Sequence, residues 1–418
     1  MKILVSLPPK KAVFSTPEQS IDQFLEGNIA GSGMLGSTVR LANLLHDRGF
    51  EVCLSSTQEI MCSKFTCLKH ENVEPKEFDW LIVHESHWDG ISLTFGNQFL
   101  NKTFLWLSLY SCFSLVFTFI KAGGHRVICK SIDCANTFRS VPGWEKKVAV
   151  AYNSYNQIFT PDLENHESNR KALIFVGAIR PSKGFVEVMK IWSYLVQHKL
   201  DLKLKVAGSI QLHGSKTNTG SIGIADQTFE SDYIEPWLES LPDQYQPHFL
   251  GSLTPKQLQV EINQSWGAIV NPSWYCTETF CVSAVEAQAC NKTVFSVARG
   301  GLKETVYRGK FKSLATKPNP ETIAKLIIQG LSNEKTIYEN GLLAGDYVRS
   351  KFSNQAIGDA WINLLQDKPN EPYIPKNWQT PRDFLYDLLR YSKISKLYYF
   401  YRSPHDRKIL SLTQKKDI

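Results

Sequence analysis

The chain alternates twice between short apolar runs and amphipathic stretches at helical spacing, and that double alternation limits the folds open to it. In the first half, Ile3–Leu7, Phe50–Leu54, Trp80–Val83, Phe104–Leu109 and Arg126–Cys129 read as strands. Gly36–Arg48 lies between the first two and places Val39, Leu41, Ala42, Leu44 and Leu45 on one helix face. A second series opens at Lys171. There Ala172–Val176, Lys203–Ala207, His248–Leu250, Ala268–Val270 and Val294–Val297 read as strands. Gly184–His198, Pro255–Ser265, Val282–Cys290, Glu321–Gly330 and Lys335–Lys351 read as helices. A strand that rejoins its sheet through a helix rejoins it parallel. The pattern predicts an α/β chain with two doubly wound parallel sheets.

The 418 residues suffice for two domains of ordinary size. The expected division is a Rossmann-like domain at 1–157, a second at 171–365, and a basic helical extension at 366–418. The polar stretch Asn153–Arg170 serves as linker, with Asn153 as a hinge residue. A net charge of +7 suits anionic substrates or an anionic membrane surface. No dense Lys/Arg block with interleaved aromatics occurs, which argues against a nucleic-acid partner. The most apolar run, Phe104–Ile120, is short for a membrane span and carries several serines, so it predicts a buried strand followed by a core helix. The nine cysteines are an odd number and Met1-Lys2 leads straight into a strand, from which a reducing cytosol and free thiols are expected. Cys62/Cys67, Cys129/Cys134 and Cys276/Cys281 share a four-residue gap. Zinc sites use tighter gaps with histidines nearby, so the shared spacing reads as coincidence.

The chemistry concentrates in Asn271–Glu304. A strand leads in, Pro272 and Ser273 break it, and a helix follows from Val282. The backbone amides of Thr279, Phe280 and Cys281 are expected at that helix start, where an anion binds well. Glu278 and Glu286, with seven residues between them, flank the anion site with carboxylates that can hold hydroxyls. A ligand with an anionic middle and a polyol at each end fits: ribose, diphosphate, hexose. Leu173–Phe185 adds a strand ending at Gly177 and a loop with Arg180 and Lys183, two cations for a diphosphate. By the rule that ligands sit beyond the carboxyl ends of parallel strands, His84 and His87 after Trp80–Val83 face a cleft between the domains. A histidine there could orient an acceptor hydroxyl.

Pro272-Ser273, Glu278, Glu286-Ala287, Val294–Val297, Gly300-Gly301 and Glu304 together resemble the family-4 retaining glycosyltransferases of GT-B fold, also grouped as glycosyl transferases group 1. Lys183-Gly184 stands where that family has its Lys-Gly pair. The family's Arg directly after Gly is replaced by Ala178, and Arg180 is the substitute. The family's cleft histidine follows the strand Phe104–Leu109, where this chain has none. Gly31-Ser32-Gly33-Met34-Leu35-Gly36 spells a dinucleotide fingerprint, but it lies far past the first strand and no acidic residue ends the next one. Gly31 and Gly33 instead match, loosely, the family's glycine-rich loop before the first helix.

The resemblance implies a GT-B enzyme that moves a sugar from a nucleoside diphosphate donor to a hydroxyl acceptor, a saccharide, a lipid-linked glycan or a small molecule. Lys183, Arg180 and the amides of Phe280 and Cys281 would neutralise the leaving diphosphate, Glu278 would hold the hexose and Glu286 the ribose. No Asp-x-Asp occurs, so no metal and no further cofactor are expected. Two alternatives keep the fold: a nucleotide-sugar epimerase using His84, Glu85 and His87, or a non-catalytic sugar-nucleotide-binding subunit. The stretch Phe384–Tyr401 reads as a basic helix that crosses back onto the first domain or lies on the cytoplasmic membrane face.

Overall fold

A computed structural model describes residues 1–8, 14, 16, 18–85, 97–110, 113–162, 172–209, 218–309, 311–368, 370, 372 and 388. The described chain forms two compact units. One comprises 1–22, 37–153 and the chain from 357 onward; the other comprises 23–36 and 154–356. The chain passes from the first to the second between Asn153 and Ser154.

The first unit holds strands β1 (Lys2–Ser6), β2 (Glu51–Ser56), β3 (Thr66–Lys69), β4 (Trp80–His84), β5 (Thr103–Trp106), β6 (Arg126–Cys129) and β7 (Val148–Val150). They run parallel in the order β3-β2-β1-β4-β5-β6-β7. Strands covered on both faces read as unbroken apolar runs, and Ile3, Leu4, Val5, Leu105 and Ile128 are all fully buried. The helix α1 is Ile21–Leu25. The helix α2, Gly33–Asp47, buries Val39, Leu41, Ala42, Leu44 and Leu45, the face its spacing predicts. The run Phe104–Ile120 divides into β5 and helix α3 (Phe113–Lys121), and no described helix is long and apolar enough to cross a membrane. Helix α4 (Ile132–Arg139) starts where Ser131 accepts from the Cys134 amide.

The second unit holds β8 (Ala172–Val176), β9 (Lys203–Ala207), β10 (His248–Gly251), β11 (Gly267–Ile269), β12 (Thr293–Val297) and β13 (Leu314–Ala315), parallel in the order β10-β9-β8-β11-β12-β13. Its helices include α5 (Phe185–Gln197), α6 (Pro255–Asn263), α7 (Val282–Ala289), α8 (Leu302–Thr305), α9 (Pro320–Leu331) and α10 (Glu334–Phe352). Helix α6 opens with a full capping box between Thr254 and Gln257 and Pro255 in the first turn. The segment 23–36 is attached to this unit: the Lys256 amide donates to Gly27 O at 3.3 Å and Lys256 Nζ to Asn28 Oδ1 at 2.7 Å.

A last helix, α11 (Asn354–Leu365), serves the first unit. Trp361 is fully buried there, edge-on to Trp106 at 5.7 Å and to Phe104 at 6.2 Å. Arg48 pairs with Asp359 at 2.6 Å, and Asp367 meets His125 and Arg126. The stretch Phe384–Tyr401 and its membrane reading lie outside the described residues. In each sheet the strand order reverses direction beside the first strand, between β1 and β4 and between β8 and β11. Loops beyond such a reversal leave an open crevice for ligands.

Candidate functional site

The loops that follow β8 and β11 bring the predicted residues together. Lys183 Nζ lies 2.6 Å from Glu278 Oε1, although 95 positions separate them. The two side chains are 36% and 16% exposed, so the pair is open to a ligand. Burial acts to lower the Lys183 ammonium, and the Glu278 carboxylate outweighs it, so its pKa stands above the usual value. Lys183 ends a single helical turn, Pro181–Lys183, that Gly184 closes at φ +77. A Cβ on Gly184 would lie 2.6 Å from Pro272 and 2.8 Å from the Ser273 amide, so the two loops touch only because this residue is glycine.

Glu278 is held from its own side as well. Asn271 Nδ2 donates to Glu278 Oε1 at 2.7 Å, and Asn271 adopts φ +20, a region Asn tolerates better than other residues. Gly301 N donates to Glu278 O at 2.7 Å. A Cβ on Gly301 would sit 2.0 Å from Thr279 O, so this loop too rests on a glycine. Arg299 Nε donates to Thr277 and its guanidinium lies over the Trp274 ring. Asn271 and Arg299 were not singled out from the sequence. The bend at Asn271-Pro272 is the one feature that could have pointed to the first; nothing local marks the second.

Helix α7 begins at Val282, with Cys281 as a cap residue whose side chain makes no cap hydrogen bond. Thr279 and Phe280 therefore precede the helix, where the sequence had placed their amides at its start. Phe280 is buried edge-on against Phe352 at 5.3 Å, and the packing of that ring fixes the approach to the helix. Glu286 lies one turn in on α7, half-buried. Gly177 follows β8 directly, its amide bound to Ala207 O. Arg180 is half-buried; its Nε is buried without a hydrogen-bond partner among the described residues, and burial lowers the guanidinium pKa. Gly33 opens α2, and Gly31 packs against Phe24, whose ring a Cβ would meet at 2.7 Å.

The first unit carries a separate polar cluster at the carboxyl ends of β4, β5 and β6. His84, which ends β4, is 1% exposed, and its Nε2 lies 2.5 Å from Ser108 Oγ. The histidine missing after β5 is thus met from the neighbouring strand, but as a buried ring and not as an exposed one. Ser108 also accepts from Lys130 Nζ, which reaches Ser37 Oγ at 3.3 Å and lies 4.3 Å from the Trp106 ring centre. Glu85 takes the Ser108 and Leu109 amides at 2.5 and 2.9 Å, so both its oxygens are engaged by backbone. Burial lowers the Lys130 pKa to about 7 against the pull of Glu85, with Arg40 adding to the lowering. Neither Ser108 nor Lys130 was found from the sequence, since three strands are needed to assemble them. His87 lies outside the described residues.

Residues 158–341 match the family model described as "Glycosyl transferases group 1". An "Uncharacterized glycosyltransferase" of Methanocaldococcus jannaschii is 41% identical over 68 residues, 16% of this chain and 19% of that relative, so the match spans about a fifth of the relative's length. Among solved structures, sucrose-phosphate synthase from Thermosynechococcus elongatus superposes with a TM-score of 0.66 at 14% identity, covering 88% of this chain and 98% of that one. HepE from Anabaena in complex with UDP and glucose superposes with a TM-score of 0.62 at 14% identity, covering 88% and 99%. Through its residues 158–341 the chain belongs to the glycosyl transferases group 1 family, and its two parallel-sheet α/β domains have the GT-B fold.

Proposed function

We propose that this protein is a retaining glycosyltransferase that moves a sugar from a nucleoside diphosphate donor to a hydroxyl acceptor of a glycan, a lipid-linked sugar or a small molecule. The observation that carries the reading is the reachable Lys183–Glu278 pair beyond β8 and β11, where the strand order of the second sheet reverses. A diphosphate entering there would draw Lys183 and Arg180 to its oxygens, and the free carboxylate of Glu278 would take sugar hydroxyls. The start of α7 offers amides to the same phosphates, and Glu286, one turn on, suits ribose hydroxyls. HepE, of like fold, holds UDP, UDP-glucose, and UDP with glucose in its structures, which supports a uridine nucleotide as the first donor to try.

Departure of the diphosphate is the step such a site assists. Fixed cations stabilise the charge that develops on the bridging oxygen as the bond to the anomeric carbon breaks. The acceptor oxygen then bonds to that carbon on the face the diphosphate leaves, and its proton goes to a departing phosphate oxygen. Protein cations supply the charge, so no divalent ion is required.

The test is a thermal-shift screen of nucleoside diphosphate sugars, followed by transfer assays with and without excess EDTA. A donor present at a hundred times its Kd should stabilise the fold by about 2.7 kcal/mol, a few degrees for a protein of this size. Turnover should persist in EDTA, and the product's anomeric coupling should match the donor's. Loss of turnover in EDTA would remove the metal-independent part. An isomerised donor without acceptor would make the enzyme an epimerase, and binding with no transfer or hydrolysis across an acceptor panel would make it a binding subunit.

A further inference from the structure

The three cysteine pairs of equal spacing differ once folded. Cys129 and Cys134 interact through their side chains, but both are fully buried. Cys281 is buried with its sulfur 3.5 Å from Ser283 Oγ. Cys62 and Cys67 alone combine mutual contact with access, since both are half-exposed. Cys67 is the second residue of the edge strand β3, and its thiol reaches both Phe65 O at 3.7 Å and the Cys62 sulfur. The chain turns back tightly before that strand, so the Lys64 and Phe65 amides also point at the Cys62 sulfur. Three donors converging on one sulfur favour its anion. Asp22 opposes them, with its carboxylate 3.9 Å from the Cys62 sulfur, but it is occupied by the Ser63 amide at 2.8 Å and the Ser63 hydroxyl at 2.9 Å.

We propose that Cys62 and Cys67 form a redox-active dithiol, with Cys62 the attacking thiolate and Cys67 the resolving thiol, that exchanges with small-molecule disulfides of the glutathione class. The Cys62 thiolate attacks one sulfur of the small disulfide and releases one thiolate, which takes up a proton. The Cys67 sulfur, giving up its proton, then attacks the Cys62 sulfur of the mixed disulfide and releases the second small thiol. Two protein thiols are oxidised and one disulfide is reduced to two thiols, so electrons balance.

The electrostatics fit that order of events. The Cys67 hydrogen bond is the largest influence on Cys62 and lowers its pKa to about 7. The same bond, with burial, raises Cys67, which therefore stays protonated while Cys62 is an anion. Once Cys62 is in a mixed disulfide that anion is gone, and Cys67 is released to ionise and attack.

The experiment equilibrates the full chain in glutathione buffers from fully reduced to fully oxidised, traps free thiols with N-ethylmaleimide, and reads the peptides by mass spectrometry. The peptide spanning Cys62 and Cys67 should lose the mass of two hydrogens and all maleimide label in oxidising buffer, and recover both labels in reducing buffer. In Cys67→Ala the reaction should stop at a glutathione adduct on Cys62. Alkylation of Cys62 at pH 7 should run roughly threefold faster than for an ordinary thiol, the larger thiolate fraction being partly offset by weaker nucleophilicity. Doubly labelled Cys62 and Cys67 at every ratio in the folded protein would overturn the proposal. So would stable glutathione adducts on both, or a disulfide from either to Cys53.

Discussion

The two units place charged groups at the same topological position, beyond the ends of central parallel strands, with opposite electrostatic results. In the second unit Lys183 is partly open to solvent and faces Glu278, so its charge is reinforced. In the first, Lys130 is 2% exposed and packed over Trp106, so burial pulls its pKa down to about 7. A half-exposed pair contributes little to folding, because solvent screens it and two long side chains must be ordered. A buried amine must shed its proton or be compensated. The comparison assigns ligand binding to the first arrangement and a penalty on folding to the second.

The sharpest way to break this contrast is to remove charge from the second unit. Lys183→Ala and Glu278→Gln should each lower the transfer rate by about 10²–10³ while the melting temperature stays nearly fixed. Steady-state kinetics beside thermal denaturation reads both, and unfolding with full activity in the remaining folded fraction would make the pair structural. Next in size is Gly301→Ala, whose new methyl would press on Thr279 O; it should destabilise by about 2–3 kcal/mol and weaken donor binding, measured by denaturant titration and calorimetry. Smallest is Lys130→Met. The folded pKa of Lys130 is below its unfolded value, so between about pH 7 and 10.5 the unfolded chain binds more protons and stability rises with pH. The variant should flatten that rise and raise stability by roughly 1–3 kcal/mol at pH 6, where the buried amine is charged. An unchanged slope in thermal scans from pH 6 to 10 would show that Lys130 is not the group responsible.

The same contrast explains what could be read in the sequence. Lys183, Glu278 and Glu286 sit in short contiguous motifs next to strands long enough to stand out, and the glycines at 184 and 301 mark where loops must touch. Ser108 and Lys130 are single residues on different strands, made neighbours by the sheet register that pairs Trp106 with Ile128. Register is a property of the packed sheet, so no local pattern announces the cluster. The strands β3, β7 and β13, of four, three and two residues, were missed because runs that short carry no usable periodicity. Helix α11 escaped notice although it seats Trp361 in the first unit's core.

The anchoring of Gly27 and Asn28 on Lys256 bears on any attempt to dissect the protein. A fragment cut at Ser154 and ended at Ala356 would contain the whole six-stranded sheet and still lack a stretch of its own surface, supplied from more than a hundred positions upstream. Genetic separation of the halves therefore calls for splicing 23–36 back in, or for supplying it as a peptide.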